Sequence, residues 1–150
     1  MDEKGFGLLE AALAAMVAGL LAAVAMPRLF FHYQALALDH EAARLAAALS
    51  AYREEAVYAA AQRQEFLDAG KYTVPEFRLE KNSYMVIVNG KIRRRHTLPS
   101  GIEMNRGRKT VDFYGTGNAE PMTITLRSGT QQRYVIIDLA GRIRVSLAPP

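Results

Sequence analysis

The first apolar run of the chain is long and almost free of ionisable side chains. It extends from Phe6 to Met26, directly after a charged stretch that ends at Gly5. Its 21 residues are about the number that a helix needs to cross the hydrocarbon core of a bilayer. Glu10 is the one ionisable residue in the run, and a carboxylate within a membrane span costs about 2–3 kcal/mol. The pattern predicts a transmembrane helix over residues 6–26 whose carboxylate has a function.

A helical pattern continues beyond Pro27, because a membrane helix tolerates a proline at its edge. Apolar residues then recur at alternating spacings of four and three, which places them on one helix face, and charged residues such as Glu41 and Arg53 fall mostly on the other. We predict one helix over residues 6 to about 67, with Gly70 as its C-terminal cap. The predicted apolar stripe comprises Leu38, Ala42, Leu45, Leu49, Tyr52, Ala56 and Ala59.

Beyond Lys81 the pattern changes to short β-rich runs separated by turn signals. The run over residues 83–88 is followed by Asn89 and Gly90, the strongest short hairpin signal, and by a returning strand over residues 91–98. A long helix followed by six or seven antiparallel strands indicates an α+β fold in which the helix packs on an antiparallel β-sheet domain. The further predicted strands cover residues 101–105, 110–114, 122–127, 133–138 and 142–147.

Composition and motifs give little support for catalysis. The chain has no cysteine, which excludes disulfides, a thiol nucleophile and a cysteine-ligated metal. The histidines at positions 32, 40 and 96 are isolated and lack metal-ligand spacing. The Gly-Thr-Gly stretch at residues 115–117 is not followed by the lysine and hydroxyl residue of a phosphate loop. We therefore predict a protein that is not an enzyme and uses no cofactor and no metal.

Four residues near the amino terminus resemble the signal of type IV pilins and of type II secretion pseudopilins. They are Gly5, Phe6, Glu10 and Pro27, which stand at the spacing of that family. The resemblance implies that a prepilin peptidase cuts after Gly5 and that Phe6 is then N-methylated. It also implies that Glu10 and Pro27 serve assembly, with Glu10 pairing with the terminal amine of another subunit.

The same resemblance implies a domain organisation and a location. Residues 1–5 are expected to be a leader peptide, and residues 6–26 the transmembrane half of the N-terminal helix. Residues 27–150 are expected to form an extracytoplasmic pilin-like domain. The protein would be a single-pass protein of the cytoplasmic membrane that enters a filament, with the membrane and other pilin or pseudopilin subunits as partners.

Short motifs in the second half also resemble this family. The stretches at residues 98–102, 113–117, 124–126 and 141–145 are similar to those of H-type minor pseudopilins and FimT-like minor pilins. The resemblance implies a minor subunit and not the abundant filament protein.

The second half is strongly basic, which suggests a polyanionic partner. Residues 81–150 contain twelve Lys or Arg and four Asp or Glu. Arg142 and Arg144 are two apart on a predicted strand and therefore share a face. Double-stranded DNA is one candidate partner, and acidic neighbouring subunits are the alternative. The candidate DNA-binding residues are Arg142, Arg144, Arg93, Arg95, Arg106, Arg108 and Lys109.

The function that these observations predict is that of a minor pilin or pseudopilin subunit of a type IV filament or a type II secretion machine. A DNA-binding minor pilin for natural DNA uptake is the first alternative. A single-pass membrane protein with an extracytoplasmic binding domain is the second. The sequence does not distinguish a secretion system from a pilus or a competence apparatus.

Overall fold

The structure is a computed structural model that describes residues 3–65 and 75–150. Within these ranges, side chains are described except at residues 3–6, 27 and 63–65. Several predicted features therefore lie outside the described residues. They are the first two leader residues, the helix end near residue 67, the cap at Gly70, and the side chains of Phe6 and Pro27.

One long helix is followed by short strands. The helix α1 covers Glu3–Glu65, 63 residues without interruption at position 27, as the sequence predicts. The strands are β1 (Glu76–Leu79), β2 (Ser83–Val88), β3 (Lys91–Thr97), β4 (Glu103–Arg106), β5 (Thr110–Val111), β6 (Met122–Ser128), β7 (Gln131–Ile137) and β8 (Ile143–Ser146).

The chain divides into two compact units, and the boundary between them lies within α1, between Leu36 and Ala37. The first unit is helical, and the second contains the later part of α1 and the eight described strands. This division depends on contacts within the chain and carries no information about the position of a membrane. The membrane boundary at residues 26 and 27 therefore stays a prediction.

The eight described strands form two antiparallel sheets of four strands each. The first sheet has the order β3-β2-β1-β5, and the second has the order β4-β6-β7-β8. The prediction of six or seven strands missed β1, which has only four residues, of which Glu76 and Arg78 are charged. A second difference is the division into two sheets, which arises because β4 pairs with β6 and not with its sequence neighbour β3.

The predicted hairpin joins β2 to β3. Asn89 and Gly90 both have positive φ angles, 54° and 72°, as a two-residue type I′ turn requires. The register of the pair shifts between Val86 and Ile87. This bulge leaves Arg93 as the extra residue of β3, and such a bulge increases the local twist of an edge strand.

The apolar stripe of α1 faces the core, as the spacing predicts. All seven of its residues are buried, and Leu38, Leu45 and Leu49 are completely inaccessible to solvent. Burial of a leucine side chain contributes about 2 kcal/mol. Six of the seven, all except Ala59, pack in one cluster with Phe77 of the first sheet and Leu126 of the second. The α+β class, with a helix packed on antiparallel sheets, is thereby confirmed.

Candidate functional site

The helical segment up to Met26 displays apolar side chains on its whole circumference. Leu9 is 68% exposed and Leu21 is 67% exposed. Among the described residues, α1 is the one helix long and apolar enough to cross a membrane. Such a surface is stable in lipid or against other apolar helices, and not in water.

The exposed apolar surface extends past the predicted end of the span. Phe30, Phe31, Tyr33 and Leu36 are all more than half exposed. The helix over residues 7–36 is about 45 Å long, which exceeds the roughly 30 Å of hydrocarbon in a bilayer. Its last turns therefore suit the membrane interface, where aromatic residues concentrate, or contact with other subunits.

Glu10 is exposed on this apolar segment. Among the described residues it has no ion-pair or hydrogen-bond partner within the chain. Its carboxylate is therefore available to a cation on another molecule. The surroundings of Gly5 and Phe6, the two other residues of the predicted signal near the amino terminus, are outside the described part of the chain.

Of the predicted basic residues on β3, Arg93 and Arg95 are both engaged within the chain. Arg93 Nη1 donates to Glu55 Oε1 at 2.7 Å, which links β3 to α1. Arg95 Nη2 donates to Glu80 Oε2 at 3.4 Å. Both side chains stay more than half exposed, so these pairs contribute little stability. Their charge is nevertheless partly neutralised.

Arg142 and Arg144, which were predicted to lie on one strand, do not both belong to it. Arg142 lies one residue before β8, and Arg144 lies within it. Arg142 is bound to Asp138, whose Oδ1 accepts from the Arg142 backbone N–H and whose Oδ2 accepts from Nε, each at 2.9 Å. These bonds, the backbone one foremost, lower the pKa of Asp138. Arg144 is exposed and has no ion-pair partner in the described part of the chain.

The third predicted basic group surrounds the connection from β4 to β5. Arg106 was expected in a loop but is the last residue of β4, and its Nε is buried without a hydrogen-bond partner among the described residues. Arg108 forms an ion pair with Glu120. Lys109 is exposed, and its carbonyl accepts a hydrogen bond from the Leu79 N–H at 2.6 Å.

The topology distributes these basic groups over different edges. β3 is an edge of the first sheet, whereas β4 and β8 are the two opposite edges of the second. Neighbouring strands are about 4.8 Å apart, so the outer strands of a four-stranded sheet are roughly 14 Å apart. The seven predicted residues therefore do not converge on one patch.

A groove that the sequence did not predict lies between α1 and β3. Its volume is about 900 Å³. The small side chains of Ala48 and Ala51 line it on the helix, and Tyr84 and Val86 line it on β2. The basic side chains of β3 form its rim, together with Arg44 of α1.

At one end of this groove, a buried glutamate of α1 contacts a partly buried histidine of β3. Glu41 Oε2 lies 2.7 Å from His96 Nε2, and Glu41 is only 4% exposed. The prediction that Glu41 lies on the polar face of the helix is wrong, because this residue is buried. His96, which lacks metal-ligand spacing in the sequence, contacts this one carboxylate. The partners are 55 residues apart in sequence, and no local pattern relates a helix residue to a strand residue at that distance.

Two core tyrosines adjoin the groove and are neutral at physiological pH. Burial, with Glu41 as the next cause, raises the pKa of Tyr84 to about 12. Burial also raises the pKa of Tyr52 to about 12, and its hydroxyl donates to the Pro75 carbonyl at 2.6 Å. The Tyr52 hydroxyl is a structural donor, and neither hydroxyl ionises near neutral pH. Among the described residues, no group of three or more His, Asp or Glu side chains is arranged to hold a metal ion.

The fold and its surfaces define a pilin-like subunit. An exposed apolar helix leads into a domain in which the same helix packs on antiparallel sheets. Residues 41–141 match the family model described as Type II transport protein GspH. Because the match covers more than half of the chain, the protein belongs to the GspH family of type II secretion pseudopilins. Comparison with curated proteins and with solved structures gives no match.

Family membership confirms the resemblance stated from the sequence and has two consequences. The family is a structural component of a secretion machine, so contact with other pseudopilin subunits follows. Membership and the apolar helix are together consistent with a single-pass protein of the inner membrane. The match begins at residue 41, so it does not include Gly5, Phe6 or Glu10.

Proposed function

We propose that the protein is a minor pseudopilin that enters its secretion machine through the first half of α1. The observation that carries the proposal is the exposed apolar surface of this helix, with Glu10 as its one ionisable side chain between residues 7 and 26. Residues 6–26 anchor the protein in the cytoplasmic membrane before assembly. The domain beyond residue 27 lies outside the cytoplasm.

Maturation precedes assembly in this proposal. A prepilin peptidase removes residues 1–5, and the new amine of Phe6 is methylated. The support is the position of Gly5 at the border between charged and apolar sequence. The cut produces a cation at the start of an apolar helix, where its own solvation is poor.

Assembly then brings opposite charges together. The Phe6 amine of one subunit meets the Glu10 carboxylate of another between staggered helices. Two charges in a medium of low dielectric attract strongly, and pairing removes the cost of leaving each alone. The exposure of Glu10 and its lack of a partner among the described residues support this role.

The mass of the mature amino terminus tests the proposal. Coexpression with a prepilin peptidase is expected to yield a chain that begins with N-methylated Phe6. Gly5→Val is expected to block the cut. Gly19→Val is the matched control, because a Cβ at position 19 meets nothing within 4 Å in the chain. A mature terminus near Met26 would instead indicate an ordinary secretory signal and contradict the proposal.

DNA binding is the second candidate function. Three of the four acids in residues 81–150, Glu103, Glu120 and Asp138, are paired with lysine or arginine. Arg144 and Lys109 have no such partner among the described residues. They are therefore the strongest candidates for contacts with phosphate, and the scattered placement of the other basic residues limits the site to a small one.

A further inference from the structure

The groove beside β3 has two defined ends. At one end Glu41 of α1 contacts His96 of β3, and at the other Glu55 of α1 contacts Arg93 of β3. The two glutamates are fourteen residues apart on the helix, a rise of about 21 Å. The partners on β3, His96 and Arg93, are three residues apart, which is about 10 Å at 3.3 Å per extended residue, so an added strand follows the groove for roughly three to four residues.

The strand that borders the groove is an edge of its sheet. In the described part of the chain β3 pairs with β2 on one side, and no described strand pairs with its other side. The bulge at Arg93 leaves residues 94–97 as a regular stretch that can accept a ladder. A strand added there directs every second side chain toward α1 and therefore into the groove.

We propose that this face binds an extended acidic segment of a partner protein, which adds to β3 as a strand and fills the groove with alternate apolar side chains. Ala48 and Ala51 leave room above the rings of Tyr52 and Tyr84, which form an apolar floor. Main-chain hydrogen bonds to β3 supply affinity, and the groove selects the side chains.

The charges around the groove select an acidic occupant. Four arginines line it, Arg44 and residues 93–95, together with two acids, Glu54 and Glu55. Arg93 is paired with Glu55 and Arg95 with Glu80, and Glu41 at one end of the groove is paired with His96. Arg44 and Arg94 are exposed and have no ion-pair partner among the described residues. Their guanidinium groups are therefore available for carboxylates of the occupant.

Two other occupants fit this face less well. A second copy of β3 would bring arginines opposite arginines, which is destabilising in a strand pair. Nucleic acid has no backbone amides, so it cannot continue the hydrogen-bond ladder of β3 or direct alternate side chains into the groove. A single extended peptide with acidic residues supplies both the ladder and the carboxylates.

Binding of a designed peptide to the full-length chain in uncharged detergent micelles tests this proposal. The probe is a fluorescent peptide of about eight residues that alternates valine with glutamate. One comparison peptide carries lysine in place of glutamate, and a second is N-methylated at every other amide, which removes ladder donors without changing charge. We expect anisotropy to report saturable binding of the acidic peptide, with at least fivefold weaker binding of both comparison peptides, about 1 kcal/mol.

Arg94→Glu is expected to weaken binding of the acidic peptide by about fivefold or more, since it replaces attraction by repulsion at the rim. Arg127→Glu is the matched control, because Arg127 is exposed on β6 of the other sheet, and binding is expected to stay within about twofold. The N-methylated peptide keeps the test decisive if Arg94→Glu impairs folding.

Three results would each overturn the proposal. The first is no saturable binding of the acidic peptide at low salt. The second is equal binding of the N-methylated or lysine peptide. The third is displacement of the peptide by a short DNA duplex, if this displacement is lost in Arg94→Glu. That result would show that the edge of β3 binds nucleic acid. None of these results depends on processing at Gly5. The test of the groove and the test of the proposed maturation can therefore fail separately.

Discussion

Arg53 Nε donates a hydrogen bond of 2.9 Å to the carbonyl oxygen of Gly117, 64 residues away in sequence. Arg53 lies on the flank of α1, and Gly117 lies in the turn after β5. Gly117 has a φ angle of 84°, and a Cβ there would approach the Arg53 guanidinium to 3.0 Å. The positive φ angle favours glycine at this position, and the bond gives the Gly-Thr-Gly stretch a structural role.

Arg53→Ala is expected to destabilise the domain by about 1–2 kcal/mol, because a partly buried carbonyl loses its charged donor. Chemical denaturation of the full chain in detergent measures the free energy of unfolding. Glu54→Ala, next to it on an exposed face, is the control and should change stability by less than about 0.5 kcal/mol. Equal effects of the two changes would mean that the bond contributes nothing.

Gly115→Ala is expected to destabilise the fold by about 1–3 kcal/mol, because the new methyl group would collide with the Cβ of Ala60 on α1. Gly107→Ala is the control, since a Cβ there meets nothing within 4 Å. Combining Gly115→Ala with Ala60→Gly removes the collision and should recover part of the loss in the same denaturation assay. No recovery in the double variant would argue against a direct contact.

The sequence predicted the features that depend on neighbours along the chain. The stripe from Leu38 to Ala59 was correct at all seven positions because helix periodicity alone determines which face is apolar. The turn at Asn89 and Gly90 was correct because few other residues adopt two successive positive φ angles. The candidate processing residues Gly5 and Phe6 also rest on local spacing alone, and they stay a prediction.

The remaining features depend on pairing across the fold. The buried contact between Glu41 and His96, and the ion pairs that occupy Arg93 and Arg142, join residues on different elements or across a turn. Strand order also separates β4 from β8, so a basic sequence did not become one basic patch. A charge count does not contain this information, because it treats every arginine as unpaired.

The Asp138 carboxyl group is expected to titrate below its ordinary value of 3.8, because the backbone N–H and the side chain of Arg142 favour its ionised form. A lowered pKa in the folded state means that the group contributes stability above the pKa of the unfolded chain. This contribution is lost as the pH falls through the folded-state pKa. NMR titration of the side-chain carboxyl carbon measures the midpoint.

Arg142→Ala is expected to raise that midpoint only in part, because the backbone N–H of residue 142 still donates to Asp138 Oδ1. A midpoint for Asp138 at or above 3.8 in the unaltered chain would contradict the structure of this turn.

Glu10→Leu is expected to leave the protein in the membrane, since the change removes the one unfavourable side chain from the span. Assembly with partner pseudopilins should fall, because the terminal amine of a neighbour loses its counter-charge. Co-purification with coexpressed pseudopilins and secretion in a complementation assay measure the effect. Glu10→Gln, which keeps the shape of the side chain, should share the defect, whereas Met16→Leu in the same segment should not. Normal secretion with Glu10→Leu would exclude the pairing role for this subunit.

The proposed binding of DNA is expected to depend on Arg144 more than on Arg142. The Arg142 guanidinium is engaged with Asp138, whereas Arg144 is exposed on the edge strand β8 without an ion pair among the described residues. A labelled DNA duplex titrated with the full chain in uncharged detergent at several salt concentrations gives the slope of log K against log salt.

Arg144→Gln should reduce the magnitude of that slope by about 0.9, the value for one phosphate contact, and Arg142→Gln should reduce it by less. Arg127→Gln on β6 is the control for the loss of one exposed positive charge. Equal effects of all three changes would indicate a general attraction without a site. If no complex forms at low salt, the exposed basic residues do not bind phosphate. Acidic protein partners would then be the better explanation of the basic second half of the chain.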